Sequence, residues 1–305
     1  MDGDKKPLKT RLAPTPSGFL HKGNVFSFLL TWLIARSQNG QILLRIDDLD
    51  QPRVKRQYLE HIFKVIDWLG IDYDAGPQDV ADQEKHFTQQ SRMDLYRETI
   101  LRLEELPGAT FYCECSRKEI MAVAKDARYP GTCVHKGLTN VPGRALRLCT
   151  PTGHQEKVTD HIQGEVTVSL PTHMPHFIVR KKDGFPAYQL SSIIDDQFFG
   201  INTVVRGLDL LHSTAAQLYL ASRLGSPFTT ADFYHHPLLT RNNMKLSKST
   251  GPVSESIGDF SERSREQLLQ EFASWIGLNE ASPKLNDLLT GFNSDQLHEV
   301  QSSGR

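Results

Sequence analysis

Long apolar runs are missing from this 305-residue sequence: none approaches the roughly 18 residues that a membrane-spanning helix needs, so no membrane partner is expected. No secretory leader is read in MDGDKKPLKTR either, which has charges but no apolar core ending in small residues, and a cytoplasmic location is expected. Neither sign of charge is in excess, with 35 Lys and Arg against 36 Asp and Glu. The formal net charge of -1 excludes a protein that grips nucleic acid mainly through a uniform positive field, leaving room only for a local basic face. Repeats and low-complexity tracts are absent, which excludes solenoids and arrays. Cysteine is sparse and uneven: Cys113, Cys115 and Cys133 fall close together and Cys149 follows. In a cytoplasmic chain that placement points to metal rather than to disulfides.

What is present is ordinary for a globular protein, 38% hydrophobic and 23% charged, in a length that suits one large domain with an insertion or two domains of moderate size. Strand-like and helix-like segments alternate, which favours an α/β layered fold. Thr10 to Ala13 reads as a strand, APTPSGFLHKGN as a Pro/Gly loop, and Val25 to Arg36 as a buried helix. Gln41 to Ile46 forms a second strand that ends in Asp47, Asp48 and Asp50, and a helix with apolar Ile62, Phe63, Val65, Ile66 and Leu69 follows. Residues 107–176 hold the cysteines, several Gly and Pro and short strand-like pieces such as Ala145 to Cys149, and read as an insertion. The parallel pattern is expected to resume at Phe177 to Arg180 and at Asn202 to Arg206, with a helix from Ser213 to Leu224. Near the end Leu268, Leu269, Phe272, Trp275 and Ile276 form a helical stripe, and Pro283 is placed to open another helix.

Two segments carry chemistry. In Pro14-Thr-Pro-Ser-Gly-Phe-Leu-His-Lys-Gly-Asn24, a glycine-rich turn between strand and helix can bring backbone N–H groups and a helix N-terminus against phosphates; Gly23 allows close approach of a nucleotide and His21 adds a donor. In Lys245-Leu-Ser-Lys-Ser249, two ammonium groups, Lys245 and Lys248, and two hydroxyls, Ser247 and Ser249, suit a clamp on departing pyrophosphate. Together these segments resemble the paired signatures of class I aminoacyl-tRNA synthetases. The first, with Arg11-Leu-Ala-Pro-Thr-Pro-Ser-Gly ahead of Leu-His-Lys-Gly-Asn, is similar to the glutamyl and glutaminyl branch in particular.

The resemblance implies an α/β fold with a Rossmann-like parallel sheet, a zinc-containing insertion and a short C-terminal helical stem. It implies ATP contacts from His21, Gly23, Asn24, Lys245, Ser247 and Lys248, with His21 and Lys248 as the catalytic pair that stabilises charge on the phosphates, and Mg2+ carried by ATP. Glutamate would be bound by the first strand and its loop (Arg11, Leu12, Ala13, Pro14, Thr15), by Asp47, by Tyr188 and by Arg206. Glutamyl enzymes usually have Glu where this chain has Asp47, whereas glutaminyl relatives have Asp; the shorter acid brings the substrate ammonium closer or reaches it through water. From the residues alone, Asp47 and Asp48 are equally read as helix caps, and Arg206 as a partner of Asp209.

Cys113-Glu-Cys115 followed by Tyr129-Pro-Gly-Thr-Cys133 is similar to the zinc site of the glutamyl-type insertion, and three thiolates suit one structural Zn2+. The family implies the Tyr129 phenol as fourth ligand; His135 or water are the alternatives. The boundaries expected on this basis are 1–106 and 177–253 for the two halves of the nucleotide-binding core, 107–176 for the insertion and 254–305 for the stem and tail. Conventional glutamyl enzymes continue into a large anticodon-binding region after the second lysine segment, where this chain ends soon after. The resemblance is therefore to the short paralogues that activate glutamate without tRNA and esterify it to queuosine in the anticodon loop of tRNA(Asp). ATP, L-glutamate and queuosine-bearing tRNA(Asp) are the expected partners of a monomer, with Arg180, Lys181 and Lys182 as candidate phosphate contacts. The competing expectations are the catalytic part of a conventional enzyme charging tRNA(Glu), and a catalytically silent zinc-containing RNA-binding module.

Overall fold

The computed structural model describes residues 6–124, 126, 128–241, 244–245, 256–278, 284–294 and 297. The chain opens with β1 (Lys9–Leu12), α1 (Lys22–Ser37) and β2 (Gln41–Leu44), the β-loop-helix-β unit expected from its apolar runs. Residues 28–35 of α1 are buried without a break, because the helix is covered on all sides and needs no polar face. β1 and β2 pair in parallel, Lys9 against Gln41 through Leu12 against Leu44. α2 (Arg56–Leu69) buries Leu59, Ile62, Val65, Ile66 and Leu69 at helical spacing and ends on Gly70, whose φ of 73° is left-handed. The chain then runs back along β2, where Gly76 passes so close that a Cβ would lie 2.2 Å from the Leu44 carbonyl oxygen.

One-turn α3 (Val80–Asp82) leads to α4 (Met93–Glu105). β3 (Thr110–Cys113), α5 (Arg117–Val123), β4 (Ala145–Leu148), β5 (Gln155–Asp160), β6 (Gly164–Ser169), one-turn α6 (Leu170–His173) and β7 (Ile178–Arg180) follow. The second half comprises α7 (Tyr188–Phe198), β8 (Thr203–Gly207), α8 (Leu211–Leu224), β9 (Asp232–His236), the short pair β10 (Thr240–Arg241) and β11 (Met244–Lys245), α9 (Glu262–Trp275) and α10 (Leu285–Gly291). β8 and β9 are parallel over five positions, Thr203 against Asp232 through Gly207 against His236. At the start of β8 the Asn202 N–H donates to the Lys9 carbonyl at 3.0 Å, which sets this pair beside β1.

Two expectations are corrected. β7 does not resume the parallel pattern: it runs antiparallel to β4 in the sheet β3-β4-β7, an arrangement that an apolar run alone cannot distinguish. The strand-like piece read from Ala145 to Cys149 ends one residue early, at Leu148, and Cys149 just beyond it is only half-buried. β5 and β6, from the middle of the chain, join the sheet of β8 and β9, with Asp160 against Phe233. One apolar core lies between α1, β1, β2, α2 and α9; a second lies among α4, α7, α8 and the strands after β3. Pro283 falls outside the described residues, and the helix beyond it starts at Leu285. No helix among the described residues is long and apolar enough to cross a membrane.

Candidate active site

The parallel strands β1, β2, β8 and β9 all point their carboxyl ends at one cavity of about 610 Å³, which is where open α/β sheets bind ligands. Past the end of β1 the pairing continues into the loop: Arg45 N–H donates to the Leu12 carbonyl and Asp47 N–H to the Pro14 carbonyl, both at 2.9 Å. This holds Leu12, Ala13, Pro14 and Thr15 against the Arg45–Asp47 segment along one wall. Arg11, Asp47, Tyr188 and Arg206 line the same cavity, as do His21, Gly23 and Asn24, so all the sequence-chosen residues of the two substrate sites within the described side chains meet there.

Charge is concentrated on the side of Arg11. Its Nε donates to Asp196 Oδ1 at 3.1 Å, and Arg45 NH1 donates to the same oxygen at 2.5 Å. Arg45 also grips Asp47 side-on, Nε to Oδ1 at 2.7 Å and NH2 to Oδ2 at 3.2 Å. Burial raises the Asp47 carboxyl above its ordinary range, Arg45 opposes that rise, and Asp195 and Asp196 add to it. For Asp196 the guanidinium groups of Arg11, Arg45 and Arg206 outweigh burial and hold the carboxyl below the usual range. Asp47 is therefore an ion-pair partner of Arg45 rather than a helix cap. Asp48 turns away: its oxygens accept from Gln89 N–H at 2.8 Å and Gln83 Nε2 at 3.0 Å, which fastens the loop after β2.

Arg206 differs from three of the four other buried arginines among the described residues; Arg147, which bonds the His176 carbonyl and lies over Tyr129, likewise has no carboxylate partner. Arg11, Arg45 and Arg92 each pair with an aspartate. Among the described residues Arg206, 5% exposed, has only neutral acceptors: Tyr188 Oη at 3.2 Å, Thr214 Oγ1 at 2.6 Å and Gln217 Oε1 at 2.7 Å. Its Nε–H is buried without an acceptor, and burial together with nearby Arg11 lowers its pKa.

The other side of the cavity is made from backbone. His21 precedes the first turn of α1, and its N–H donates to Asn24 Oδ1 at 3.1 Å. The imidazole lies across Gly23, where a Cβ would sit 3.1 Å from ring atoms Cε1 and Nδ1 and press on the ring. Ser256 bridges the backbone of His21, and Ile257 N–H donates to the Leu20 carbonyl at 2.9 Å. Lys245 is described only as backbone of β11, paired with Thr240, while Ser247 and Lys248 lie outside the described residues. Trp275 of α9 completes this wall, packed on Phe26 and edge-on to His236.

The three cysteines converge as expected. Their Sγ atoms lie within 4.8 Å of one another and could hold a metal ion. Burial and the neighbouring thiols push Cys115 up to about 11, while for Cys133 hydrogen bonds outweigh burial and lower the thiol. Three adjacent thiols resist ionising together unless a cation compensates them, so this donor set fits a metal. The Tyr129 oxygen joins the cluster, accepting Cys133 N–H at 2.8 Å, with Arg147 over its ring at 3.7 Å; His135 is exposed.

Reading the sequence missed Arg45, Asp195, Asp196, Thr214, Gln217 and Trp275. Of these, Arg45 sits within the strand read from Gln41 to Ile46, two residues before Asp47, and was the one within reach of pattern reading.

Comparison with known proteins agrees with this geometry. Residues 7–284 match the family model for the catalytic domain of class I (E and Q) tRNA synthetases. A glutamate–tRNA ligase of Oleidesulfovibrio alaskensis is 33% identical over 300 residues, 94% of this chain and 61% of that protein. The glutamyl-Q tRNA(Asp) synthetases of Symbiobacterium thermophilum and Pseudomonas putida are each 37% identical, with 80% and 78% of this chain matched to 79% and 76% of theirs. The chain thus spans 61% or 51% of the glutamate–tRNA ligases it matches and over three quarters of the two shorter relatives. The crystal structure of glutamate–tRNA synthetase from Elizabethkingia anophelis shares the fold, with a TM-score of 0.79 at 21% identity over 96% of this chain and 67% of that one. The chain belongs to the class I (E and Q) tRNA synthetase family.

Proposed function

We propose that this protein activates L-glutamate with ATP, without tRNA, and transfers the glutamyl group to queuosine in the anticodon loop of tRNA(Asp). The observation that carries the glutamate half is Arg206, a buried guanidinium with no carboxylate partner among the described residues, at the edge of a cluster whose other arginines are paired. Arg11, Arg45 and Arg206 facing Asp47 and Asp196 leave one positive charge in excess, which complements an amino acid with two carboxylates and one ammonium. Asp47 would receive the ammonium and Arg206 with Tyr188 the side-chain carboxylate.

The α-carboxylate oxygen attacks the α-phosphorus of ATP in line, a new O–P bond forms, and pyrophosphate leaves with the electrons of the broken bond. Positioning and charge stabilisation supply the catalysis. The N-terminus of α1 and Gly23 would cradle phosphate, and His21 would donate to it. Lys248 and Lys245 would neutralise the departing pyrophosphate, with the Ser247 hydroxyl donating to it. Mg2+ bound to ATP would share that neutralisation. A queuosine hydroxyl then attacks the glutamyl carbonyl and AMP leaves.

Zn2+ fits Cys113, Cys115, Cys133 and the phenol of Tyr129; it would tie together residues 107–176, read as the insertion between core halves 1–106 and 177–253, with 254–305 as stem. Support for queuosine comes from the names of the two relatives at 37% identity. The protein would act as a monomer. ATP–pyrophosphate exchange with glutamate, glutamine and aspartate in the absence of tRNA tests activation; no exchange with glutamate ends the tRNA-independent reading. Labelled glutamate offered to tRNA(Asp) with and without queuosine, and to tRNA(Glu), tests the acceptor. Label on the 3′ end of tRNA(Glu) would favour instead the activity named for the relatives at 33% identity.

A further inference from the structure

Behind Arg206 runs a line of buried side chains, none of which lines the cavity. Asp160, at the end of β5, is held rigidly. Its Oδ1 accepts the N–H groups of Ile162 at 2.9 Å and Gln163 at 2.7 Å, and its Oδ2 accepts His235 N–H at 3.0 Å and His235 Nδ1 at 2.6 Å. The Asp160 and His235 side chains are both 0% exposed. On the far side of the ring, Nε2 lies 2.6 Å from Thr214 Oγ1, and that oxygen accepts from Arg206 NH2, also at 2.6 Å.

The proton positions follow from this geometry. A carboxylate only accepts, so His235 carries its proton on Nδ1. Burial and the nearby Arg206 hold the imidazole neutral against the pull of Asp160, so Nε2 presents a lone pair. Thr214 has one hydroxyl proton and two acceptors in reach, His235 Nε2 at 2.6 Å and the Leu210 carbonyl at 3.1 Å. The shorter bond takes the proton, and the oxygen turns its lone pairs to the guanidinium.

We propose that Asp160, His235 and Thr214 form a positioning relay that fixes the Arg206 guanidinium and thereby sets the discrimination of glutamate from glutamine. This rests on the reading above in which Arg206 receives the side-chain carboxylate. A carboxylate placed directly against Arg206 would orient it equally well but would neutralise it and compete with the substrate. Two neutral groups between Asp160 and Arg206 transmit orientation and withhold the ion pair. Gln217 takes the second NH2 proton, so both hydrogens of that nitrogen are committed. In a guanidinium so held, Nη1, which reaches Tyr188 Oη at 3.2 Å on the cavity wall, is left to meet a ligand, and a charged carboxylate gains more from it than an amide does.

The test is steady-state ATP–pyrophosphate exchange with the full chain, varying glutamate, glutamine and ATP separately for wild type, Thr214→Val, Thr214→Ser and Arg206→Ala. Thr214→Val is expected to raise KM for glutamate roughly tenfold and to lower the glutamate-over-glutamine ratio of kcat/KM by a similar factor, with KM for ATP within about twofold. Thr214→Ser, which keeps the hydroxyl, is expected to behave as wild type; a merely structural role would not give this split and rescue. If Thr214→Val retains wild-type glutamate kinetics while Arg206→Ala loses them, the relay is overturned and the glutamate site stands. If Arg206→Ala retains them too, the site reading itself fails. Should Thr214→Val not fold, Thr214→Cys, of similar volume and weaker hydrogen bonding, is read by the same criteria.

Discussion

The two walls of the cavity are held in place by different means. On the proposed glutamate side, orientation comes from side chains that hold one another: Asp196 between Arg11 and Arg45, Asp47 gripped side-on by Arg45, and Arg206 backed by Thr214 and Gln217. On the proposed ATP side it comes from backbone: the first turn of α1, the strand-like bridge between His21 and Ser256, and a glycine over which the imidazole folds. The contrast suits the ligands. An amino acid presents charges a few ångströms apart that must be matched one by one, whereas polyphosphate is met by a row of N–H groups. A single side-chain deletion should therefore damage the first wall far more than the second.

The largest effect is expected for Asp196→Ala, which leaves Arg11 unpaired and Arg45 with Asp47 alone. Removing one member of a buried pair costs about 3–5 kcal/mol of stability, and glutamate-dependent kcat/KM is expected to fall on the order of a thousandfold. Denaturant unfolding and exchange kinetics measure the two; an effect below tenfold would erase the contrast between the walls. Gly23→Ala should come next, because the added methyl presses on the His21 ring from 3.1 Å. Here the expectation is a loss of about tenfold confined to ATP parameters, with KM for glutamate unchanged.

A third effect concerns pH. His236, on the ATP wall, is lowered by burial to about 4 in the folded protein from an ordinary 6.5. Between those values the unfolded chain holds the extra proton, so stability falls as pH drops through this window, by up to about 1.4 kcal/mol per unit. Denaturation of wild type and His236→Gln from pH 7 to 4 checks it: the variant should show the shallower slope, and equal slopes would acquit His236. The smallest effect belongs to the exposed pair Lys22–Glu271. Glu271→Gln is expected to change stability by under about 1 kcal/mol and exchange rates by under about twofold.

The first β-loop-helix-β unit was legible in the sequence because its signals are local: a Pro/Gly turn, a long apolar helix and the apolar run Ile42, Leu43 and Leu44 of β2. The cysteine cluster was legible for the same reason. Arg11, Asp47, Tyr188 and Arg206 became candidates only through the family resemblance, which the cavity then gathered together. Their supports were not legible. Asp196 lies 151 residues from Arg45, and Asp160 lies 75 from His235, and no periodicity links positions so far apart. Strand direction was also beyond pattern reading: Ile178–Arg180 is apolar enough for either neighbour, and only pairing with β4 makes it antiparallel.

Shared use of Asp196 has a consequence for synthesis. Arg11 and Arg45 emerge from the ribosome 185 and 151 residues before their common counter-ion. Arg45 has Asp47 two residues away, but at translation rates of about 5–20 residues per second the Arg11 guanidinium must wait on the order of ten seconds for its counter-ion. Until then, burying it is unfavourable, so the apolar surface of α1 stays incompletely covered and offers itself to chaperones. Completion of α7 is the event that closes this interval.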